Sequence, residues 1–148
     1  MTNIKSLFGL LPAVAAVVAA VAFGAAQASA SSAPIVITYE KTCNEPAGYC
    51  ASSPGASVTI VMQVDPTTFR ATGDAFQFTL TEWITVGDVS FTAVMNAHRS
   101  PDGFIVLNGT ITKGSFAGAQ VHQRSNYVSG PPTASKWTGE LQLIPASA

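Results

Sequence analysis

The sequence predicts an all-β protein, an antiparallel β-barrel of seven to eight strands preceded by a cleaved signal peptide. Three observations predict it. Past residue 30, apolar and polar side chains alternate with a period of two. Clusters of Gly, Pro, Asp and Ser interrupt that alternation at short intervals, as turns do. No stretch of helical period follows the N-terminal segment. Strands joined by short turns make an antiparallel meander, and closing it on itself removes the exposed edges. A two-sheet sandwich is the competing arrangement. It lacks its usual sign here, because Cys43 and Cys50 are too close to bridge two sheets.

The leader comes first. Lys5 is the only charge before an uncharged run from Ser6 to Ala30, with an apolar stretch from Leu7 to Ala26. Small residues at alternate positions, Ala26, Ala28 and Ala30, are what signal peptidase reads, and cleavage is expected after Ala30 or else after Ala28. A run of about 20 apolar residues is just long enough to span a bilayer as a retained anchor. Pro12, the alanine-rich composition and the adjacent cleavage sites argue for removal instead. Neither cysteine lies at the cleavage region, so a lipid anchor is not supported. The reading is therefore a bacterial-type signal peptide over 1–30, one domain over 31–148, and a secreted or periplasmic location.

Composition narrows the partners. Six basic residues stand against eight acidic ones after Ala30, a net charge near −2. That argues against nucleic acid and against a polybasic membrane surface. Cys43 and Cys50 enclose Pro46 and Gly48, and in an oxidising compartment such a pair is expected to form a disulfide. Closing so short a ring is worth about 2 kcal/mol. A metal site needs more ligands than two cysteines, and no others stand nearby in sequence.

The strands follow in order. Ile35, Ile37 and Tyr39 share one face, with Val36, Thr38 and Glu40 on the other. The cysteine loop and a Ser52–Gly55 turn lead to a second strand, with Val58, Ile60, Met62 and Val64 on one face. Asp65-Pro66 is expected to end it, since proline cannot donate to the ladder, and 67–73 reads as a connection with a short helical turn. If Thr67 to Ala71 pairs instead, the strand count becomes eight.

The clearest hairpin is central. Phe76, Phe78, Leu80, Glu82, Ile84 and Val86 face one way, Gly87-Asp88 turns the chain, and Val89, Phe91, Ala93, Met95 and Ala97 return on the same face. That turn sets Ile84 opposite Phe91, Glu82 opposite Ala93 and Leu80 opposite Met95. Trp83 falls on the hydroxyl-rich opposite face. Beyond the Ser100–Gly103 turn, residues 104–113 form a strand with Ile105, Leu107 and Ile111 on one face, and Gly109 reads as a bulge or bend. Strands over 119–127 and 137–143 complete the set, and Pro145 stops the last one.

The stretch Phe104 to His122, with its turn Gly114-Ser-Phe-Ala-Gly-Ala119, resembles the allene oxide cyclase and dirigent-like barrels, and Trp137 to Leu143 resembles their final strand. The resemblance implies eight strands around an interior cavity. In plant cyclases that cavity holds an oxidised fatty acid, and in dirigent proteins phenoxy radicals. Bacterial barrels of this kind include cofactor-free polyketide cyclases, and many relatives are dimers or trimers. The cyclases carry Tyr-Glu-x-Asn on the first strand; Tyr39-Glu40 falls at a similar place, with Thr42 in place of the asparagine.

The residues that can carry chemistry are few. Glu82 interrupts an apolar strand face, and a carboxylate aimed into a greasy cavity is a candidate general acid or base. The alternative places it near the strand's end, reaching water or a Lys or Arg. Glu40 is the second catalytic candidate, by the resemblance. Tyr39, Phe76, Phe78, Phe91 and Trp137 are candidate ligand-binding residues, as well as plausible core, and Trp83 and Tyr127 join them as aromatics at strand spacing. His98 and His122 lack metal-pair spacing and read as strand-surface residues, and neither a metal nor a cofactor is expected. Two readings remain: an exported barrel that binds an apolar small molecule or mediates extracellular contact, and a cofactor-free cyclase or isomerase. An enclosed cavity with Glu82 or Glu40 facing inward favours the second; an interior filled by Phe, Leu and Met favours a structural or interaction role.

Overall fold

Alternation with a period of two puts every second side chain on the same side of a strand, and here the apolar set lies inside a closed wall. A computed structural model of the chain describes residues 33–145; the expected leader and its cleavage site lie outside them. Eight strands follow in sequence order: β1 (Ile35–Asn44), β2 (Tyr49–Ala51), β3 (Val58–Thr72), β4 (Ala75–Val86), β5 (Val89–Arg99), β6 (Phe104–Gly114), β7 (Gln120–Ser129) and β8 (Ser135–Ile144). Each pairs antiparallel with the next, and β8 returns to β1 from Ile35↔Leu143 to Cys43↔Ser135, closing the barrel. Helical structure among the described residues is limited to two 3-10 turns, at Glu45–Ala47 and Pro132–Ala134.

The central hairpin has the register its turn dictates, with Ile84↔Phe91, Glu82↔Ala93 and Leu80↔Met95. Elsewhere the structure corrects the sequence. Asp65-Pro66 does not end a strand: β3 runs on to Thr72 and rejoins β4 at Arg70↔Gln77 after a bulge. Proline is tolerated there because the ladder is already broken. Asp65 Oδ1 takes the Thr67 N–H at 3.0 Å, and Thr68 Oγ1 takes the Thr79 N–H at 2.8 Å. The eighth strand is instead β2, inside the expected cysteine loop, where Cys43 and Cys50 are register partners and form a disulfide. Gly109 is not the bulge of β6 either; the extra residue is Thr112, between Ile111↔Ala93 and Lys113↔Thr92. Gly109 serves close approach, because a Cβ there would overlap Val94 O and lie 2.8 Å from Met95 Cα.

The interior divides into two halves. In one, Ile60, Ile84, Phe91, Ile111, Val121, Leu141 and Leu143 are fully buried against one another, and Phe116 closes that end edge-on to Phe91 at 6.2 Å. The other half is hollow. Three strands show the change in step: Ile37, Tyr39, Lys41 on β1; Ile84, Glu82, Leu80 on β4; Val121, Gln123, Ser125 on β7. In each, an apolar core residue is followed by a buried polar one and then by a residue lining the hollow.

Candidate functional site

The hollow is a cavity of about 440 Å³, open at one end of the barrel. Leu80, Leu107, Phe78, Ile105, Met62 and Trp137 supply most of its inner wall, and Lys41 and Ser125 supply polar groups there. At the mouth the strap between β1 and β2 folds over it: both cysteines, Glu45, Pro46, Ala47, Gly48 and Tyr49 all line the cavity. Sequence explains the strap. The Asn44 side chain accepts the Ala47 N–H, Pro46 suits the 3-10 turn, and Gly48 takes the left-handed conformation (φ 62°) that ends it. Gly48 O then accepts the Val64 N–H at 2.8 Å, which ties the strap to β3. Glu45 pairs with Arg99 at 2.8 Å, and the Arg99 guanidinium lies 5.2 Å from the centroid of the Trp137 ring.

Beneath the cavity lies a buried polar cluster. Lys41 Nζ sits 3.3 Å from Glu82 Oε1, and both side chains are out of water. Gln123 Nε2 donates to the same Glu82 oxygen at 3.2 Å and to the Tyr39 hydroxyl, which is also hydrogen-bonded to Ser125 Oγ. The amide orientation is forced, since turning it over would set its oxygen against a carboxylate. Lys41 Nζ also lies 3.6 Å from Met62 Sδ and 5.2 Å from the centroid of the Tyr39 ring. Gly139, the ladder partner of Tyr39, leaves room for the phenol: a Cβ there would overlap it.

Protonation states follow from these neighbours. Burial pushes the Tyr39 phenol above its ordinary value, and Lys41 opposes this only in part. Burial works against the Lys41 ammonium, but the Tyr39 phenolate at alkaline pH, the Glu82 charge and the hydrogen bond to Glu82 outweigh it, so its value rises. Near neutral pH the cluster therefore holds a neutral phenol and a charged amine. The phenol accepts from Gln123; were Ser125 also to donate to it, the phenol proton would be buried with no acceptor among the described residues. The satisfied arrangement has Tyr39 donating to Ser125 Oγ, which frees the Ser125 proton for the cavity.

The residues singled out from sequence are distributed unevenly. Glu82 is fully buried mid-strand, so the expectation that it lies near a strand end is corrected, while its reach to a lysine is as read. It stands behind Lys41 and does not itself line the cavity. Glu40 is exposed on the outer face of β1, away from the cluster. Phe78 and Trp137 line the cavity, as do Cys43 and Cys50, and Tyr39 lies just beneath it. Phe76 is half-buried against Phe69 at 5.2 Å, outside the lining. Phe91 belongs to the packed half, and Trp83 projects outward, 47% exposed. Tyr127 stands edge-on to Trp137 at 5.6 Å without lining the cavity. His98 and His122 are exposed. Sequence reasoning missed Lys41, Gln123, Ser125 and Arg99; extending the period of two from Tyr39 to Lys41 and from Ala97 to Arg99 would have found two of them. Among the described residues no three His, Cys, Asp or Glu side chains gather as metal ligands would.

Comparison of the chain with protein-family models, with curated proteins and with solved structures gives no match in any of the three.

Proposed function

We propose that this barrel is exported and binds an apolar small molecule in the cavity above the Tyr39–Lys41–Glu82 cluster. One observation carries the reading: a cavity of about 440 Å³, open at its mouth, with a mainly apolar wall and a few converging polar groups. Small-molecule sites have that size and that composition. The packed half of the barrel shows that this chain can fill its own interior. Leaving the other half hollow forfeits dispersion contacts along its wall, a loss that a bound apolar molecule offsets. Action outside the cytoplasm accords with the disulfide in the cavity's strap.

The test is a titration with an environment-sensitive apolar fluorophore, run on the native barrel and on Ala47→Trp. Ala47 is exposed yet lines the mouth, so an indole there blocks entry without disturbing the core. Saturable binding near one equivalent, lost in Ala47→Trp, is the expected result. Fluorophore binding that is non-saturable or indifferent to Ala47→Trp overturns the reading.

A second reading is a cofactor-free cyclase or isomerase of the allene oxide cyclase-like type. What favours it is that a charged amine and a hydroxyl, of Lys41 and Ser125, both line the cavity, groups able to orient and polarise a reactive substrate. Turnover of a bound molecule, and its loss in Lys41→Met, separates this reading from simple binding.

A further inference from the structure

We propose that the molecule held in the cavity is apolar along its length and ends in one uncharged, carbonyl-type oxygen, which accepts hydrogen bonds from Lys41 Nζ and Ser125 Oγ. This rests on the reading of the barrel as an apolar-molecule binder and adds which chemical class it selects. The polar groups of the cavity sort by depth. Glu45 and Arg99 are partly exposed at the mouth and satisfy each other at 2.8 Å. Lys41 and Ser125 are buried at the inner end, on the same side as the cluster beneath.

Both inner groups have a donor to spare. A lysine ammonium has three N–H bonds. Glu82 Oε1 at 3.3 Å and the weakly accepting Met62 Sδ at 3.6 Å take two of them, and the third has no acceptor among the described residues. In the satisfied arrangement Ser125 Oγ accepts the Tyr39 O–H, which leaves its own hydrogen for the cavity. Two donors lining one mainly apolar chamber suit an oxygen with two lone pairs. A hydrocarbon would leave both donors dry and unpaired, at the desolvation penalty that buried polar groups carry.

Charge then separates a carbonyl from a carboxylate. The Glu82 carboxylate already neutralises Lys41, and its second oxygen, Oε2, is buried without a partner. A carboxylate head would bring a second negative charge beside that group around a single ammonium. A cationic head would meet the ammonium itself. A ketone, enone or similar neutral acceptor meets neither repulsion.

Three probes of equal chain length decide it: a medium-chain methyl ketone, the corresponding alkane and the corresponding carboxylate, each displacing the apolar fluorophore from the native protein. The ketone is expected to bind about tenfold tighter than the alkane, one charge-assisted hydrogen bond's worth, and tighter than the carboxylate. The bound ketone's carbonyl stretch is expected to shift to lower frequency than in hydrocarbon solvent. Lys41→Met alone strands Glu82, so the variants are Lys41→Met/Glu82→Gln and, separately, Ser125→Ala. Each is expected to reduce the ketone's advantage over the alkane, partly by relieving the penalty the alkane meets. Equal binding of ketone and alkane with no frequency shift overturns the proposal and leaves the cavity-binding reading standing. Tightest binding by the carboxylate overturns it in favour of an anion site. Failure of all three probes to displace the fluorophore overturns both readings.

Discussion

Lys41 and Glu82 left water together, and what either contributes depends on the other. Two charges in a low-dielectric interior pay a desolvation penalty that their attraction largely offsets, whereas one alone is left uncompensated. Lys41→Met is therefore expected to lower stability by about 3–5 kcal/mol in urea denaturation, and adding Glu82→Leu to recover most of that loss. A double variant no more stable than the single one would contradict this mutual dependence. The same cluster sets an alkaline limit. Tyr39 and Lys41 both have values raised above the ordinary 10.0 and 10.5, so each contributes stability that is complete below those values and is lost as pH rises through the folded-state ones. The urea midpoint is expected to hold from neutrality to about pH 10 and to fall above it, less steeply in Tyr39→Phe. A midpoint level between about pH 10 and 11.5 would sink that account. Of this cluster, only Glu82 and Tyr39 were legible in sequence. A charge amid Phe78, Leu80 and Ile84 violates a pattern, but Lys41 lies in the polar run Glu40-Lys41-Thr42, where only the period of two carried on from Tyr39 marks it as interior.

At the scale of elements, the strap from Cys43 to Cys50 forms part of the cavity's wall and is held by the disulfide, the Glu45–Arg99 pair and hydrogen bonds from Val64 and Gln63 to its backbone carbonyls. Only the first is covalent. Reduction, or Cys43→Ser with Cys50→Ser, is expected to cost about 2 kcal/mol of stability and to weaken fluorophore binding several-fold, with the far-ultraviolet spectrum of the barrel retained. Unchanged affinity after complete reduction would show that the strap does not shape the site. Hairpins with short turns were readable because turn length dictates register; the β4–β5 pairing is the example. The β3 bulge was not. Proline's missing N–H forbids a ladder bond locally, and the string does not show that Arg70 rejoins β4 five residues later. The three-residue β2 was hidden too, since so short a segment owes its pairing to neighbours on both sides, β1 and β3.

For the molecule as a whole, closure is the decisive event. β8 pairs on one side with β7 and on the other with β1, so removing it opens two seams and takes Trp137, Leu141 and Leu143 out of the core. A chain ending at Gly130 is expected to show no cooperative thermal transition, and a truncated protein melting like the native one would contradict closure through β8. Sequence alone determined that the described residues make an all-β fold, and which faces turn inward on most of its strands. Alternation and turn chemistry are local, and a one-residue error would put every core side chain in solvent. Only the tertiary structure decided which interior residues meet and where the barrel is empty. Lys41, Glu82 and Gln123 come from three strands far apart in the chain. Their distance, and the volume left beside them, depend on how the strands tilt and stagger as the wall closes.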